Sequence, residues 1–568
     1  MAVLTGIYIK NFQSIKDPFF LKLNKLCLLY GPNSAGKSSI LDALDLIKRT
    51  VNSENEKYSL EYFYKKNQNR INDSGLSVGV EVEIQNRHEY RFNKEFEEWW
   101  ESPDQRGEYF HQNFFEKIYG KKWFIEFSQQ GQGIKISIDD KPIFEFEFVC
   151  TDYDDFYKKT NELSDSIDGR LTIYKNNSFN DYFDHEYREF LVDSRNTYLP
   201  MSDYFLDLFI EENDKKLVIN GLIFDSEKRL SATYVSVDSG VNDVIFARYK
   251  TLKSYKSLDI DYQKFIDDQF KESTKKGKKE TQKRYQIYWN MENVARDFDK
   301  LIKGFFIHLK FCLEYHHVRS DRQILDSDCC FSYPENLNLE PKNCKLSLND
   351  PMSEYARKLA YDLKPRLFGT KRIDFIQKAL TKYLTSLKGY KIYPVPFTIR
   401  QVGDSEVSED SNVDNEFIFL KIQYKKINNL GFQDVGSGIS FVFPILTSLW
   451  SSNLSFIEQP ELHLHPSAQC ELGDVFIAAY NKGSLAIVES HSEHMLLRIL
   501  RRIRETNKNQ LLPKELKFSS NDLIIYYFNP GAGGFTSVKE IRVDDCGELM
   551  NTWPGGFFSE RDRELFGE

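Results

Sequence analysis

A short run near the start of the chain has the residue types and spacing needed to bind a phosphate group. The segment 31–38 matches the pattern G-x-x-x-x-G-K-S/T, follows the apolar run 26–30 and precedes a helical pattern. In such a loop the glycines let backbone N–H groups turn toward a phosphate, and the N-terminus of the next helix adds the positive end of its dipole. Lys37 can reach the β and γ phosphates of a nucleotide, and Ser38 can hold Mg²⁺.

We therefore predict a nucleoside triphosphate site at this loop. Because Lys37 lies in the loop, we expect its side chain to be exposed when no nucleotide is bound. The predicted nucleotide-binding residues are Gly31, Pro32, Asn33, Ser34, Ala35, Gly36, Lys37, Ser38 and Ser39.

Two strand-like segments far downstream end in polar residues that suit such a site. The apolar run 454–457 leads into Glu458, and the run 484–488 is followed closely by His491. A phosphate loop needs a neighbouring strand whose carboxylate completes the Mg²⁺ shell. A histidine at a strand end can form a hydrogen bond with a γ-phosphate or with the attacking water. We predict that Ser38 and Glu458 are the metal ligands.

A Gly-Ser-Gly element precedes an apolar helical run at 441–450. Glycines at a helix start leave backbone N–H groups open to an anion. We predict that Ser437 and Gly438 form a second phosphate-binding element.

The length and composition describe a large folded protein. With 568 residues, 41% of them apolar, the chain is several times the usual domain size, so we expect a core with substantial insertions. The net charge of -9 argues against nucleic-acid binding over the whole surface and leaves only local contacts. The eight cysteines contain no C-x-x-C pair, which predicts reduced thiols in the cytoplasm. No run of about 18 apolar residues is found, so we expect no membrane span.

The elements that must position these residues can be read from apolar periodicity. Strands are predicted at 3–12, 19–23, 78–84, 123–127 and 144–148. Apolar residues spaced three and four apart predict one amphipathic helix at 287–312, with a stripe broad enough for core packing rather than an extended coiled coil. Residues 151–255 show no clear periodicity, and the polar segment 401–416 predicts a loop at the end of an insertion.

Three groups of residues allow a functional and a plainer interpretation. The lysine-rich segment 271–284 could contact a phosphate backbone, but a solvated linker is favoured. His463 and His465 could bind a metal, but loop residues are favoured because no third ligand is placed by spacing. A helix carrying Arg498, Arg501, Arg502 and Arg504 could grip nucleic acid, but a solvated or partner-facing surface is favoured.

The order of these motifs resembles the ABC-type heads of the SMC, RecF and OLD ATPases. The resemblance covers the phosphate loop or Walker A motif, the Gly-Ser-Gly element, the Walker B strand with the segment 460–466 that follows it, and the Ser-His-Ser switch. The segments 526–530 and 553–558 resemble a tail domain of some bacterial OLD-like ATPases, and 315–322 resembles their strand-end arginine motif. Several proteins of this broader group act in phage defence, including the PtuA ATPase of Septu and of some retron systems.

The resemblance implies an α/β fold: an ABC-type ATPase head, with a mixed sheet, the phosphate loop and an antiparallel subdomain, interrupted by a large α+β insertion. It divides the chain into two halves of the head, an insertion and a tail. The predicted boundaries are 1–150 and 416–510 for the halves, 151–415 for the insertion and 511–568 for the tail.

The resemblance also implies ATP and Mg²⁺ as cofactors, with His491 as the switch histidine. Ser437 and Gly438 would touch the γ-phosphate held by a second subunit, so ATP would join a homodimer or a larger even-numbered oligomer. Many ABC heads carry a catalytic glutamate where this chain has Gln459, and an amide cannot accept the proton. Either hydrolysis is slow, or Glu461 takes the role of the catalytic glutamate. The catalytic candidates are thus Glu458, Gln459, Glu461 and His491.

The resemblance implies the function of a nucleotide-controlled regulator of a partner effector in bacterial anti-phage defence. The sequence shows no nuclease motif, which places the effector, a nuclease, in a separate chain. The rival interpretation is a RecF-like DNA-repair ATPase that binds DNA directly. A third is a structural scaffold that holds ATP as a bound cofactor.

Overall fold

The computed structural model describes two compact units, which we treat separately. The first consists of residues 1–13, 17–20 and 42–313, and the second of 14–16, 21–41 and 314–568. Within these, the described residues are 3–23, 25–52, 76–85, 94–102, 110–128, 133–148, 166–174, 198–199, 208–212, 216–225, 230–232, 235–237, 244–246, 297–321, 330–332, 376–400, 414–432, 434–451, 454–531 and 534–553.

The first unit is built on a long antiparallel sheet. With β2 (Phe19–Lys22) at one edge, its strands follow the order β2-β1-β4-β5-β6-β7-β8-β11-β10-β9, and β12 lies beside β11. Side chains along β5 alternate between buried and partly exposed, as in a sheet covered on one face. The strands are β1 (Val3–Lys10), β4 (Ser77–Glu83), β5 (Lys122–Ser128), β6 (Gly133–Ile138), β7 (Lys141–Phe148), β8 (Ser166–Tyr174), β9 (Tyr198–Leu199), β10 (Leu208–Glu212), β11 (Lys216–Asp225) and β12 (Leu230–Ala232).

The predicted strands at 3–12, 78–84, 123–127 and 144–148 are confirmed by β1, β4, β5 and β7. The sheet also continues past residue 150, because β8 pairs with β7 in antiparallel register from Phe148↔Gly169 to Phe144↔Ile173. The predicted domain boundaries themselves stay a prediction. A separate hairpin joins β13 (Val235–Val237) and β14 (Val244–Phe246), and β2 (Phe19–Lys22) lies where the chain passes from the first unit to the second.

An aromatic core covers this sheet. Phe305 packs on Phe115 at 5.0 Å and on Trp123 at 5.3 Å between ring centroids. A Cβ added to Gly304 would lie 2.3 Å from Trp99, so only glycine lets the backbone of α4 (297–312) come this close to the Trp99 ring. The helices are α1 (Ser39–Asn52), which passes from the second unit into the first, α2 (Lys94–Trp100), α3 (Phe110–Ile118) and α4 (297–312). The predicted helix at 287–312 is confirmed where it is described, and it packs in the core as expected.

The second unit contains a six-stranded mixed sheet. The order is β15-β20-β21-β3-β22-β23, in which the first five strands are parallel and β23 is antiparallel to β22. All residues of β3 are buried, as expected for a parallel strand covered on both faces. The strands are β3 (Leu26–Tyr30), β15 (Tyr315–Val318), β20 (Leu454–Glu458), β21 (Leu485–Glu489), β22 (Leu523–Pro530) and β23 (Thr536–Ile541). The α/β fold with mixed sheet that we predicted is confirmed.

Helices and a smaller sheet complete the second unit. The helices are α5 (Ser437–Ser451), α6 (Pro466–Tyr480) and α7 (Glu493–Asn507). The smaller sheet has β16 (Cys330–Ser332), β17 (Tyr390–Arg400), β18 (Asp414–Tyr424) and β19 (Ile427–Leu430). The loop predicted at 401–416 ends earlier than expected, since β18 begins at Asp414, where it pairs with Arg400.

Two expectations fall wholly or partly outside the described residues. The lysine-rich segment 271–284 and the tail residues from 554 onward lie outside them. Among the helices that are described, none is both long and apolar enough to cross a bilayer.

Candidate nucleotide-binding site

The carboxyl ends of three parallel strands place the predicted site residues at one edge of the sheet. β3 runs directly into Gly31, β20 ends at Glu458 and β21 ends at Glu489. The register pairs Glu458 with Glu489, and Glu489 with Leu29 at the end of β3. This edge is where ligands bind in open α/β sheets. Segments far apart in sequence therefore meet beside the phosphate loop.

Backbone geometry explains the glycines of the phosphate loop. Gly31 and Gly36 have φ values of +144° and +83°, which strongly favour glycine. A Cβ on Gly31 would lie 2.4 Å from the carbonyl oxygen of Phe528, and one on Gly36 would lie 2.1 Å from Ser14 Oγ. The turn is closed by hydrogen bonds from Ala35 N to Pro32 O and from Ser39 N to Gly36 O.

The C-terminal hairpin holds the outer side of the loop. Thr536 Oγ1 donates a 2.9 Å hydrogen bond to the carbonyl oxygen of Ala35, and Thr536 N donates one of 2.7 Å to the carbonyl oxygen of Ser14. Because β22 pairs with β3, this hairpin belongs to the same sheet as the loop. In the sequence, the segment 526–530 was noted only for its resemblance to a tail domain. The contact between the hairpin and the phosphate loop was not predicted.

Lys37 is buried, contrary to the expectation that its side chain would be exposed. Its Nζ donates 3.0 Å hydrogen bonds to the carbonyl oxygens of Gly31 and Pro32, and its side chain is only 3% exposed. The long side chain folds back on its own loop because two carbonyls and the Glu489 carboxylate surround it. Burial lowers the pKa of Lys37, and the charge of Glu489 opposes that shift.

Glu489 is a site residue that sequence reasoning missed. Its Oε1 lies 3.5 Å from Lys37 Nζ, and its Oε2 accepts a 3.3 Å hydrogen bond from Ser38 Oγ. Burial raises the pKa of Glu489, the Lys37 ammonium opposes this, and Glu458 adds to it. The available signal was its place directly after a buried strand, the same place that Glu458 occupies.

Glu458 is held by two donors from the segment after β15. His317 Nε2 donates to Oε1 at 2.7 Å, and Ser320 N donates to Oε2 at 3.0 Å. Burial alone would raise the pKa of Glu458, but these hydrogen bonds outweigh it and the net shift is downward. His317 was also missed, although it lies in the stretch 315–322 noted above. The structure thus places Ser38 against Glu489, and the pairing of Ser38 with Glu458 as metal ligands stays a prediction.

Glu461 binds the loop that carries the switch histidine. Its carboxylate accepts a 2.9 Å hydrogen bond from Ser490 Oγ and a 2.6 Å hydrogen bond from His491 N. Burial lowers the pKa of His491, with a further contribution from the charge of Lys37, and both effects favour the neutral ring. Its buried Nε2 has no hydrogen-bond partner among the residues that the structure describes. A ring nitrogen in this position is suited to an incoming polar ligand.

Gln459 contacts the end of β21, and the Gly-Ser-Gly element packs near the segment that follows β20. Gln459 has a φ of +41°, and its N–H donates a 2.7 Å hydrogen bond to the carbonyl oxygen of Glu489. α5 begins at Ser437, and a Cβ on Gly438 would lie 3.4 Å from Leu464. The Gly-Ser-Gly element therefore packs against the segment after β20 of the same chain.

The two histidines after β20 have structural partners. His465 is the N-cap of α6 and accepts a 3.2 Å hydrogen bond from Ser467 N, while the ring of His463 lies 4.4 Å from that of Phe441. No group of three or more potential metal-binding side chains occurs in the described part of the chain. The N-cap hydrogen bond of His465 and the ring contact of His463 support the loop interpretation.

The arginines of α7 are paired within the second unit. Arg498 and Arg502 bind the buried Asp474 at 2.8 and 2.7 Å, and Arg502 also binds Glu505 at 2.6 Å. Arg501 binds Glu505 as well, and Arg504 donates to the carbonyl oxygen of Cys546. These contacts hold α7 in place. The favoured solvated or partner-facing surface applies to Arg501, which is 60% exposed, but not to Arg498 and Arg502, which are largely buried against Asp474.

The donors at this edge fit a nucleoside triphosphate with Mg²⁺. Lys37, the N-terminus of α1 and the glycine loop suit phosphate oxygens. The Nε2 of His491, which has no hydrogen-bond partner in the described part of the chain, suits a further polar contact. Carboxylate oxygens from Glu458 and Glu489, with Ser38 Oγ, are the hard ligands that Mg²⁺ prefers.

Several solved structures of SMC head domains are similar to this chain at low sequence identity. Among solved structures, the SMC head domain from Thermotoga maritima is 8% identical, with a TM-score of 0.32, and the match covers 95% of this chain and 100% of that one. The Smc head bound to the C-winged helix domain of ScpA is 9% identical (TM-score 0.35; 95% and 98% covered). An Smc head with an extended coiled coil, bound to the C-terminal domain of ScpA derived from Pyrococcus furiosus, is 9% identical (TM-score 0.31; 95% and 97% covered).

A search of curated proteins finds no match. The family model described as an AAA ATPase domain matches residues 3–496, which include the phosphate loop, both acidic strand ends and His491. Because the match spans most of the 568 residues, the chain belongs to the AAA ATPase domain family.

Proposed function

We propose that this ATPase binds ATP with Mg²⁺ at the phosphate loop and uses the nucleotide to control a separate effector. The observation that carries the nucleotide step is the contact of Lys37 and Ser38 with Glu489 at the carboxyl edge of the sheet. On binding, the Lys37 ammonium exchanges the carbonyls of Gly31 and Pro32 for phosphate oxygens. Mg²⁺ supplies charge neutralisation at the phosphates when it is bound.

We propose that hydrolysis is slow. Gln459 occupies the position of the usual catalytic glutamate, and an amide cannot act as a general base. The alternative base, Glu461, already accepts hydrogen bonds from Ser490 Oγ and His491 N. These bonds engage its carboxylate in holding the loop that carries His491. Both features support a long-lived ATP-bound protein rather than rapid ATP hydrolysis.

ATP would also join two copies of the chain in this proposal. The Gly-Ser-Gly element starts α5, where backbone N–H groups and the helix dipole favour an anion. Ser437 and Gly438 would supply this anion site to the γ-phosphate held by a second subunit. The assembly is then a homodimer or a larger even-numbered oligomer.

The effector and its setting rest on the resemblance to OLD-like ATPases alone. We propose a partner nuclease encoded in a separate chain, acting in the cytoplasm during anti-phage defence. A RecF-like activity, with direct DNA binding, is the rival function. The paired arginines of α7 give it no support.

Three measurements on this chain test the proposal. Calorimetry with ATP and Mg²⁺ should show binding, and light scattering should show association that requires ATP. Co-purification with the product of a neighbouring gene, and its dependence on ATP, then tests the effector. ATP-dependent binding of DNA by the isolated chain would favour the rival function instead.

A further inference from the structure

Glu489 differs from the other acidic residues of the site in the identity of its partners. Its two oxygens contact Lys37 Nζ at 3.5 Å and Ser38 Oγ at 3.3 Å, and its side chain is 11% exposed. Both partners are groups that a phosphate loop offers to its ligand. A triphosphate that engages Lys37 and Ser38 therefore competes directly with Glu489.

The two neighbouring carboxylates have partners of another kind. Glu458 is bound by His317 and the backbone of Ser320, and Glu461 is bound by Ser490 and the backbone of His491. None of these donors belongs to the phosphate loop. These donors can keep their hydrogen bonds to Glu458 and Glu461 when a nucleotide enters. Of the three carboxylates, Glu489 is therefore the one that competes with the nucleotide for its partners.

Two unfavourable terms follow if a metal-free triphosphate enters. A buried carboxylate that loses its hydrogen bonds and its counter-charge is strongly destabilised. The phosphate charge also approaches a carboxylate of the same sign in a partly buried site, where charge interactions are stronger than in water. Glu489 could hold a divalent cation that enters with the nucleotide. Such a cation would give the carboxylate a new partner and would neutralise the charge repulsion, so both unfavourable terms would be removed.

We propose that Glu489 selects the metal-bound form of the nucleotide, rejecting a metal-free nucleoside triphosphate and admitting its complex with a divalent cation. This inference rests on the proposed binding of ATP at the phosphate loop. Glu489 is then a specificity residue of the nucleotide site. The phosphate loop supplies affinity for phosphate, and Glu489 makes that affinity conditional on the metal.

Calorimetry with ATP, once with Mg²⁺ and once with a chelator, tests this on the full chain and on Glu489→Gln. The wild-type protein should bind ATP much more tightly with Mg²⁺. Glu489→Gln should bind metal-free ATP at least about ten-fold more tightly than wild type does, which is about 1.4 kcal/mol. Glu489→Asp keeps the charge and should keep the rejection.

The control variant is Glu471→Gln, which also neutralises a buried carboxylate of the second unit but one bound to Thr385 and Ser386. It should leave both affinities unchanged. If Glu489→Gln does not fold, Glu489→Ser carries the same expectation. Metal-free affinity that is unchanged or weaker in a folded neutral variant overturns the proposal. Failure of the wild-type protein to bind ATP with Mg²⁺ contradicts the proposed nucleotide binding itself.

Discussion

Nε2 of His317 lies 2.7 Å from Oε1 of Glu458, although 141 residues separate the two in sequence. β15 and β20 are parallel neighbours, and their register pairs His317 with Phe456, two residues before the glutamate. The Ser320 N–H binds the other carboxylate oxygen. A segment far from the phosphate loop in sequence thus fixes the orientation of the predicted metal-binding carboxylate.

Replacing His317 tests this positioning role. His317→Phe should raise the Mg²⁺ concentration needed for half-maximal ATP hydrolysis by about 10- to 100-fold, the usual effect of losing an outer-shell partner. His317→Gln retains a donor and should restore most of the magnesium affinity. A magnesium titration of ATPase rate on both variants distinguishes positioning from a general packing effect, which both variants would share.

Lys37→Ala should abolish ATP binding and also affect the fold. The substitution leaves the buried Glu489 without its ammonium partner, so we expect a lower melting temperature as well as lost binding. The double variant Lys37→Ala with Glu489→Gln should recover the melting temperature but not ATP binding. Lys539→Ala, at an exposed position, serves as the control. Retained ATP affinity in folded Lys37→Ala, measured by calorimetry, would contradict the role of Lys37.

Ser437→Arg tests whether ATP joins two copies of the chain. We expect ATP binding by the isolated chain to be nearly unchanged, because Ser437 starts α5 and lies outside the phosphate loop. Bulk and positive charge at this position should prevent ATP-dependent association. Light scattering with and without ATP gives the measurement. Association equal to that of the wild-type protein would remove the model in which Ser437 acts on a partner's nucleotide.

Gln459→Glu and Glu461→Gln together decide which residue limits hydrolysis. A glutamate at 459 supplies a general base, an effect typically worth about 10²- to 10⁴-fold in rate. We expect slow wild-type turnover, faster turnover in Gln459→Glu and a shorter lifetime of its ATP-bound pair. If Glu461 is the base, Gln459→Glu changes little and Glu461→Gln abolishes hydrolysis. Single-turnover hydrolysis separates the two outcomes. Fast wild-type turnover that is insensitive to both substitutions would contradict the proposal that hydrolysis is slow.

His308 should make the stability of the first unit depend on pH. Its Nδ1 donates to the carbonyl oxygen of Gly304, and burial lowers its pKa to about 4 from 6.5. The unfolded chain therefore binds a proton that the folded chain excludes, so stability is lost as pH falls from 6.5 toward 4, by roughly 1.4 kcal/mol per unit. His308→Gln removes this contribution. The melting temperatures of the two proteins should converge from pH 7 to pH 5, and a constant difference would contradict the assignment.

Local sequence determined the elements that carry the nucleotide site. The phosphate loop could be placed at 31–38 because its glycine spacing encodes a backbone conformation that few other sequences adopt. Glu458 and His491 could be placed because each follows an apolar run of strand length. The phosphate loop and the two strand ends depend only on residues that are adjacent in sequence, so the sequence alone specifies them.

The partners of these residues were decided by the tertiary structure. Lys37 is buried by Glu489, Glu458 is oriented by His317, and the phosphate loop is held by Thr536. Each of these contacts joins segments brought together by the strand order β15-β20-β21-β3-β22-β23. Apolar periodicity identifies a strand but carries no information on which strand lies beside it or in which register, because any buried parallel strand presents the same pattern of side chains.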